Sequence, residues 1–118
     1  MMLRIYQQTL SKPIIFKGIG LHSGKNSTIR ILPAEVDQGI IFKRTDLKAN
    51  NIIHANFKNV SSAKLCTTLE NEYGVQVSTV EHLIAAFYIS GIDNALVEIN
   101  NEEIPIMDGS AADFINEI

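Results

Sequence analysis

Only one cysteine, Cys66, occurs in the 118 residues. An intrachain disulfide framework is therefore excluded, and a reducing compartment suits the chain. Basic residues are not in excess: 10 Lys and Arg against 13 Asp and Glu leave a net charge of −3. That balance provides no electrostatic footprint for nucleic acid. No run approaches the roughly 20 apolar residues that span a bilayer, so no stable membrane insertion is expected. Met1-Met2-Leu3-Arg4-Ile5-Tyr6-Gln7-Gln8 lacks the extended apolar core of a signal peptide, and a cytoplasmic protein is expected. His-Glu-x-x-His is missing too, which removes a simple zincin. The sequence has no repeats, low-complexity tracts or disordered linker.

What is present suits one globular domain. Hydrophobic residues make up 46% and charged residues 19%, and a chain of this length can bury a core of its own. Strands are expected at Ile5–Leu10, Ile14–Ile19, Ser27–Leu32 (ended by Pro33), Gly39–Arg44, Ile52–Phe57, Leu65–Leu69, Val75–Val77 and Ala95–Ile99. Glu103–Gly109 reads as extended, with Pro105 pointing to an edge or a bend. Many strands and two helices imply an α+β domain, a two-layer arrangement with both helices on one face of a mostly antiparallel sheet.

The longer helix is expected over Ser78-Thr79-Val80-Glu81-His82-Leu83-Ile84-Ala85-Ala86-Phe87-Tyr88. Ser78 followed by Glu81 has capping-box spacing, and Gly91 stands where a C-cap wants glycine. Val80, Leu83, Ile84 and Phe87 form one apolar stripe; His82, Ala85, Ala86 and Ile89 form a second, smaller one. Glu81 and His82 sit in the first turn, where the helix dipole favours an anionic carboxylate and a neutral imidazole. A carboxylate base beside an imidazole ligand suits a metal site. From the dipeptide alone, a plain helix cap and a packed or solvated histidine are the better readings. The second helix is expected to start at Ser110 and to bury Phe114, Ile115 and Ile118. A helix that has just begun an apolar face is either a short terminal helix or one expected to continue in a longer protein of which this chain is part.

Three other features compete for chemistry. Gly18-Ile19-Gly20-Leu21-His22-Ser23-Gly24-Lys25 looks like a phosphate loop but has neither the dinucleotide nor the P-loop spacing, so a tight turn between strands is expected. His22 on that turn could reach a cleft. Cys66 reads as a small buried hydrophobe, and His54, between Ile53 and Ala55, is expected to face solvent.

Six stretches together carry more than any one. They are the glycine turn at 18–25, Phe42-Lys43-Arg44-Thr45-Asp46-Leu47, Leu65-Cys66-Thr67-Thr68-Leu69, Ser78–Leu83, Gly91-Ile92-Asp93-Asn94 and Glu103-Ile104-Pro105-Ile106-Met107-Asp108-Gly109-Ser110. In order and spacing the chain resembles the UDP-3-O-acyl-N-acetylglucosamine deacetylase family of lipid A biosynthesis in Gram-negative bacteria. The resemblance implies a zinc amidase of two similar domains with the active site between them. Residues 1–118 would be the first domain alone. Glu81 matches the family's general base and His82 its first zinc ligand. Leu65 and Cys66 match a strand edge beside the substrate, and His22 is a further candidate contact. The remaining zinc ligands, a second catalytic His and a carbonyl-polarising Thr would belong to a C-terminal domain absent from this sequence. The implied substrate is UDP-3-O-acyl-N-acetylglucosamine, cleaved by water to acetate and the free amine, and the chain alone is expected to be inactive. Two other classes stay open: a non-catalytic binding domain of the same fold, and a zinc site assembled between copies through His82 and His22.

Overall fold

Strand alternation translates directly into one large sheet. The computed structural model describes residues 6–62, 67–107 and 112–118. Its strands are β1 (Ile14–Gly20), β2 (Asn26–Pro33), β3 (Ile40–Arg44), β4 (Ile52–His54), β5 (Val60–Ser62), β6 (Thr68–Glu70), β7 (Gln76–Ser78), β8 (Ala95–Ile99) and β9 (Pro105–Ile106). The helices are α1 (Glu81–Ser90) and α2 (Ala112–Glu117), with a 3-10 turn at Phe57–Asn59. Six strands form a sheet in the order β4-β3-β8-β2-β1-β9, and β5-β6-β7 form a second one. Among the described residues every strand pairing is antiparallel except β3 with β8, and an isolated parallel bridge joins Ser78 to Glu103. The class is α+β, as the sequence implied.

Register explains which residues meet. Phe16 lies opposite Ile29, Ile29 opposite Ile99, Ile31 opposite Val97, and Phe42 opposite both Val97 and Ile53. Because side chains alternate between faces, all seven project from one side of the sheet. All are buried there, in one cluster with Leu83, Ala86 and Phe87 of α1 and Phe114 of α2. Phe114 meets Phe16 edge-to-face with ring centroids 4.9 Å apart, the arrangement that aromatic quadrupoles prefer. The opposite face carries Arg30 beside Glu98 at 3.5 Å, with Arg30 more than half exposed. Pro105 stands in the edge strand, where its missing N–H costs no ladder bond.

The expected strand at Ile5–Leu10 does not form over residues 6–10; Ile5 lies outside the described residues. This stretch is instead held by backbone and side-chain groups of the Asp93-Asn94 turn. Asp93 Oδ2 accepts from the Gln8 N–H at 2.8 Å, and the Thr9 hydroxyl donates to the Asn94 carbonyl. Two other readings shift. β5 has no sequence signal of its own and forms by pairing with β6. Ile52–Phe57 shortens to Ile52–His54 before the 3-10 turn, with His54 exposed as expected. The Ser110 cap, and Leu65-Cys66 at the start of the expected 65–69 strand, lie outside the described residues; the strand seen is Thr68–Glu70.

Two polar clasps fix the small sheet to the edge of the large one. Asn71 Nδ2 donates to the carbonyls of Asn50 (2.7 Å) and Ile52 (3.0 Å). Arg44 donates to the Gln76 carbonyl at 3.2 Å while pairing with Asp46 at 2.6 Å. The start of α1 is thereby framed by both sheets. No helix among the described residues is long and apolar enough to cross a membrane.

Candidate active site

The chain enters α1 through a strained corner rather than a capping box. β7 continues to Ser78, whose N–H donates to the Glu102 carbonyl at 2.8 Å and whose own carbonyl accepts from Ile104 N–H at 3.0 Å. Ser78 Oγ donates to the Glu102 carbonyl at 3.3 Å. Ser78 is therefore strand, and the N-cap is Val80, with no side-chain cap hydrogen bond. The expected cap fails because pairing with β6 and a bridge to Glu103 hold Ser78 extended. Between them Thr79 adopts φ 61°, an outlier for a β-branched residue. The other end is as expected: Gly91 takes φ 74° and its N–H closes on the last turn of α1.

Glu81 opens α1 and His82 follows it, both half-buried. Glu81 Oε2 accepts the Thr67 N–H at 2.6 Å, a charge-assisted length. The Thr67 carbonyl in turn accepts from Thr79 N–H at 2.8 Å. The carboxylate is thus aimed by the backbone just before β6. It stands at the rim of an open groove of about 400 Å³. Ala55, Val60, Leu69, Val80, Ile84 and Ala85 make that groove largely apolar.

The helix is rotated from the expected orientation. Ala86 is fully buried with Leu83 and Phe87, whereas Tyr88 is 87% and Ile89 64% exposed. The outward arc is therefore Glu81, His82, Ala85, Tyr88 and Ile89, with Ile84 turned to the groove. Ala86 belongs to the core because a methyl group lets α1 lie close over the core beside α2.

Sequence reasoning missed the residue that ties the corner together. Glu103 is 1% exposed. Its carboxylate accepts from Ser23 N–H (2.8 Å), His22 N–H (3.0 and 3.1 Å to its two oxygens) and the Thr79 hydroxyl (2.6 Å). Burial pushes its carboxyl up, but the Thr79 hydroxyl, the Ser23 and His22 N–H groups and the Ser23 hydroxyl outweigh that and hold it below the usual carboxylate range. The Glu103 carbonyl also accepts from the buried Ser27 hydroxyl at 2.6 Å. Gly20 leaves room for this anion: a Cβ there would run into Ser23 Oγ and Glu103 Oε1. The glycine stretch is thus a hairpin turn between β1 and β2, as expected, that binds an internal carboxylate rather than a phosphate. His22 is exposed and contributes its backbone N–H to that turn. The only advance signal for Glu103 was its place in the 103–110 stretch.

Leu65 and Cys66 lie outside the described residues, immediately before Thr67. Among the described residues no three His, Cys, Asp or Glu side chains group as a metal site. His82 fits as one nitrogen ligand, and the described residues do not complete a set around it.

A family model described as LpxC, UDP-3-O-acyl N-acetylglycosamine deacetylase, matches residues 7–118. The chain is 50% identical over 113 residues to the UDP-3-O-acyl-N-acetylglucosamine deacetylase of Geotalea uraniireducens, covering 96% of this chain and 36% of that protein. It is 48% identical over 111 residues to the protein of the same name from Shewanella denitrificans, covering 94% and 36%. Against that of Blochmanniella pennsylvanica it is 49% identical over 111 residues, covering 94% and 37%. The chain therefore spans little more than a third of the length of these relatives.

Proposed function

The chain belongs to the UDP-3-O-acyl N-acetylglycosamine deacetylase family, and on that footing we propose that it is the N-terminal domain of a zinc-dependent amidase. The substrate would be UDP-3-O-acyl-N-acetylglucosamine, deacetylated in the cytoplasm during lipid A biosynthesis. The observation that carries this reading is the pairing of Glu81 and His82 at the start of α1, with the Glu81 carboxylate aimed over a groove by the Thr67 N–H. Zinc, held by His82 and by ligands from a second domain, would supply Lewis-acid polarisation of the amide carbonyl.

The chain's own residues do the following. Glu81 accepts a proton from the attacking water as the new C–O bond forms at the acetamide carbon. The Thr67 N–H holds the carboxylate in the orientation that receives it. The C–N bond then breaks, and the amine leaves with a proton supplied by an acid of the second domain; the products are acetate and the free amine. Water is the nucleophile, so Cys66 has no covalent task; with Leu65 it would flank the substrate, and His22 would contribute from the glycine turn. The outward arc of half-buried Ala85 and exposed Tyr88 and Ile89 is the surface on which a second domain would rest.

The test is to titrate zinc into the metal-free 118-residue chain, assay acetate release, and repeat with the remainder of a relative supplied in trans. Weak zinc binding and no turnover alone, with activity on mixing, are expected. Tight stoichiometric zinc and turnover from this chain alone would overturn the two-domain reading. Silence of the mixture, when the intact relative is active under the same conditions, would favour a non-catalytic binding domain.

A further inference from the structure

We propose that Glu103 is a positioning residue for the Glu81 base, acting through Thr79 and Thr67; this rests on the role given to Glu81 above. The argument starts from strain. A β-branched residue at φ 61° is strained and persists only where its surroundings over-determine it. At Thr79 the surroundings are two bonds. Its hydroxyl donates to Glu103 Oε2 at 2.6 Å, with both residues buried, and its N–H donates to the Thr67 carbonyl at 2.8 Å. The next peptide bond links Thr67 to the site, because its N–H donates to Glu81 Oε2 at 2.6 Å. The sequence of contacts is continuous: Glu103 carboxylate, Thr79 hydroxyl, Thr79 N–H, Thr67 carbonyl, Thr67 N–H, Glu81 carboxylate.

Removing the tether lets Thr79 relax toward negative φ. Its N–H then turns off the Thr67 carbonyl, and the Thr67 N–H no longer aims Glu81. The backbone bridge from Ser78 to Glu102 and Ile104 does not use the Glu103 side chain, so the fold keeps its clamp while the corner loosens. The His22 and Ser23 amides enter the same unit because they hold the other side of the carboxylate.

The experiment uses the complete, metal-loaded enzyme at a temperature where circular dichroism shows every variant folded. Glu103→Gln and Thr79→Val are each expected to lower kcat about 10-fold, since angstrom-scale misplacement of a reacting group costs up to about 10²-fold. KM and metal content should stay near parental. The double variant should be little worse than either single one, because both cut the same connection. Thr79→Ser, which keeps the donor, should recover most of kcat. Amide exchange in the same proteins reads the connection directly: the Thr67 N–H should lose protection in Glu103→Gln and Thr79→Val and keep it in Thr79→Ser. Parental kcat in either folded variant, losses that multiply in the double variant, or an unchanged Thr67 amide would overturn the proposal. Should Glu103→Gln fail to fold, Thr79→Val carries the same outcomes. A parent enzyme without deacetylase activity would sink the functional reading, and the Thr67 exchange pattern would still decide the connection.

Discussion

Removing the buried carboxylate of Glu103 should be among the costliest single changes outside the apolar core. The Ser23 N–H, the His22 N–H and the Thr79 hydroxyl donate to it, with the Ser23 hydroxyl as a fourth donor. Glu103→Ala leaves them without this acceptor: the buried Thr79 hydroxyl at about 1–3 kcal/mol, and the part-buried amides of the turn at about 1 kcal/mol each. The expected loss is about 3–5 kcal/mol, before water entering the vacated space recovers part of it. That is a large share of the roughly 5–15 kcal/mol that stabilises a domain, and it corresponds to a fall in Tm on the order of 10–20 °C. Glu103→Gln is milder. Its carbonyl oxygen can stay on the His22 and Ser23 amides, while its NH2 group faces the Thr79 hydroxyl, donor against donor, and that bond is lost. The loss is then the Thr79 bond and charge assistance, about 1–2 kcal/mol.

Acid separates the two contributions. The folded carboxyl lies below its usual value, so its stabilisation is complete above the unfolded value of about 4.3 and is lost as pH falls through the depressed folded value. The Gln variant lacks that part of the acid slope, and the gap between parent and Glu103→Gln should shrink as pH drops below about 4. Thermal melts followed by circular dichroism at pH 7 and through the acid range provide the test. An Ala variant melting within about 2 °C of the parent, well under the shift expected for 1 kcal/mol, would refute the donor count. A parent–Gln gap independent of pH would refute the ionised state.

Other expectations concern the same corner. In the complete enzyme Glu81→Gln should fold and retain metal but lose about 10²–10⁴-fold in turnover; near-parental kcat would remove Glu81 as base. Gly20→Ala drives a methyl group into Ser23 Oγ and Glu103 Oε1 and should cost about 1–3 kcal/mol, as overpacking does; an unchanged urea midpoint would mean that the turn yields freely. Ser78→Ala removes only a long, exposed hydroxyl bond to the Glu102 carbonyl, so its cost should stay below the 0.5–2 kcal/mol of a lost N-cap. A loss of about 1 kcal/mol or more in chemical denaturation would restore Ser78 as the cap.

The elements that sequence reasoning located are those whose pattern is enforced locally. Ile29, Ile31, Val97 and Ile99 are the buried half of a period-2 alternation, and that period places them on one face of a sheet whatever their partners. Gly91 was legible because few residues other than glycine enter the left-handed region at little cost. The glycine turn was legible as a turn because its spacing fits neither the dinucleotide fingerprint nor the P-loop, which leaves the tight turn that glycines favour. The neighbourhood of Glu81 and His82 was visible as a helix start, and the order of six stretches pointed to the family. What the sequence could not contain was the competition at Ser78. Ser-x-x-Glu favours a capping box, but pairing of β7 with β6 and the bridge to Glu103 satisfy the Ser78 backbone in a strand, and the helix begins three residues later. Ala86 went to the core through close packing of α1 beside α2, which a helical wheel does not include. Glu103 was opaque for the same reason. An acidic residue after Asn100-Asn101-Glu102 reads as solvated surface, and it is buried only because the turn after β1, the corner before α1 and the approach to β9 meet in space. The donors that make its burial affordable lie 24, 80 and 81 residues away in sequence.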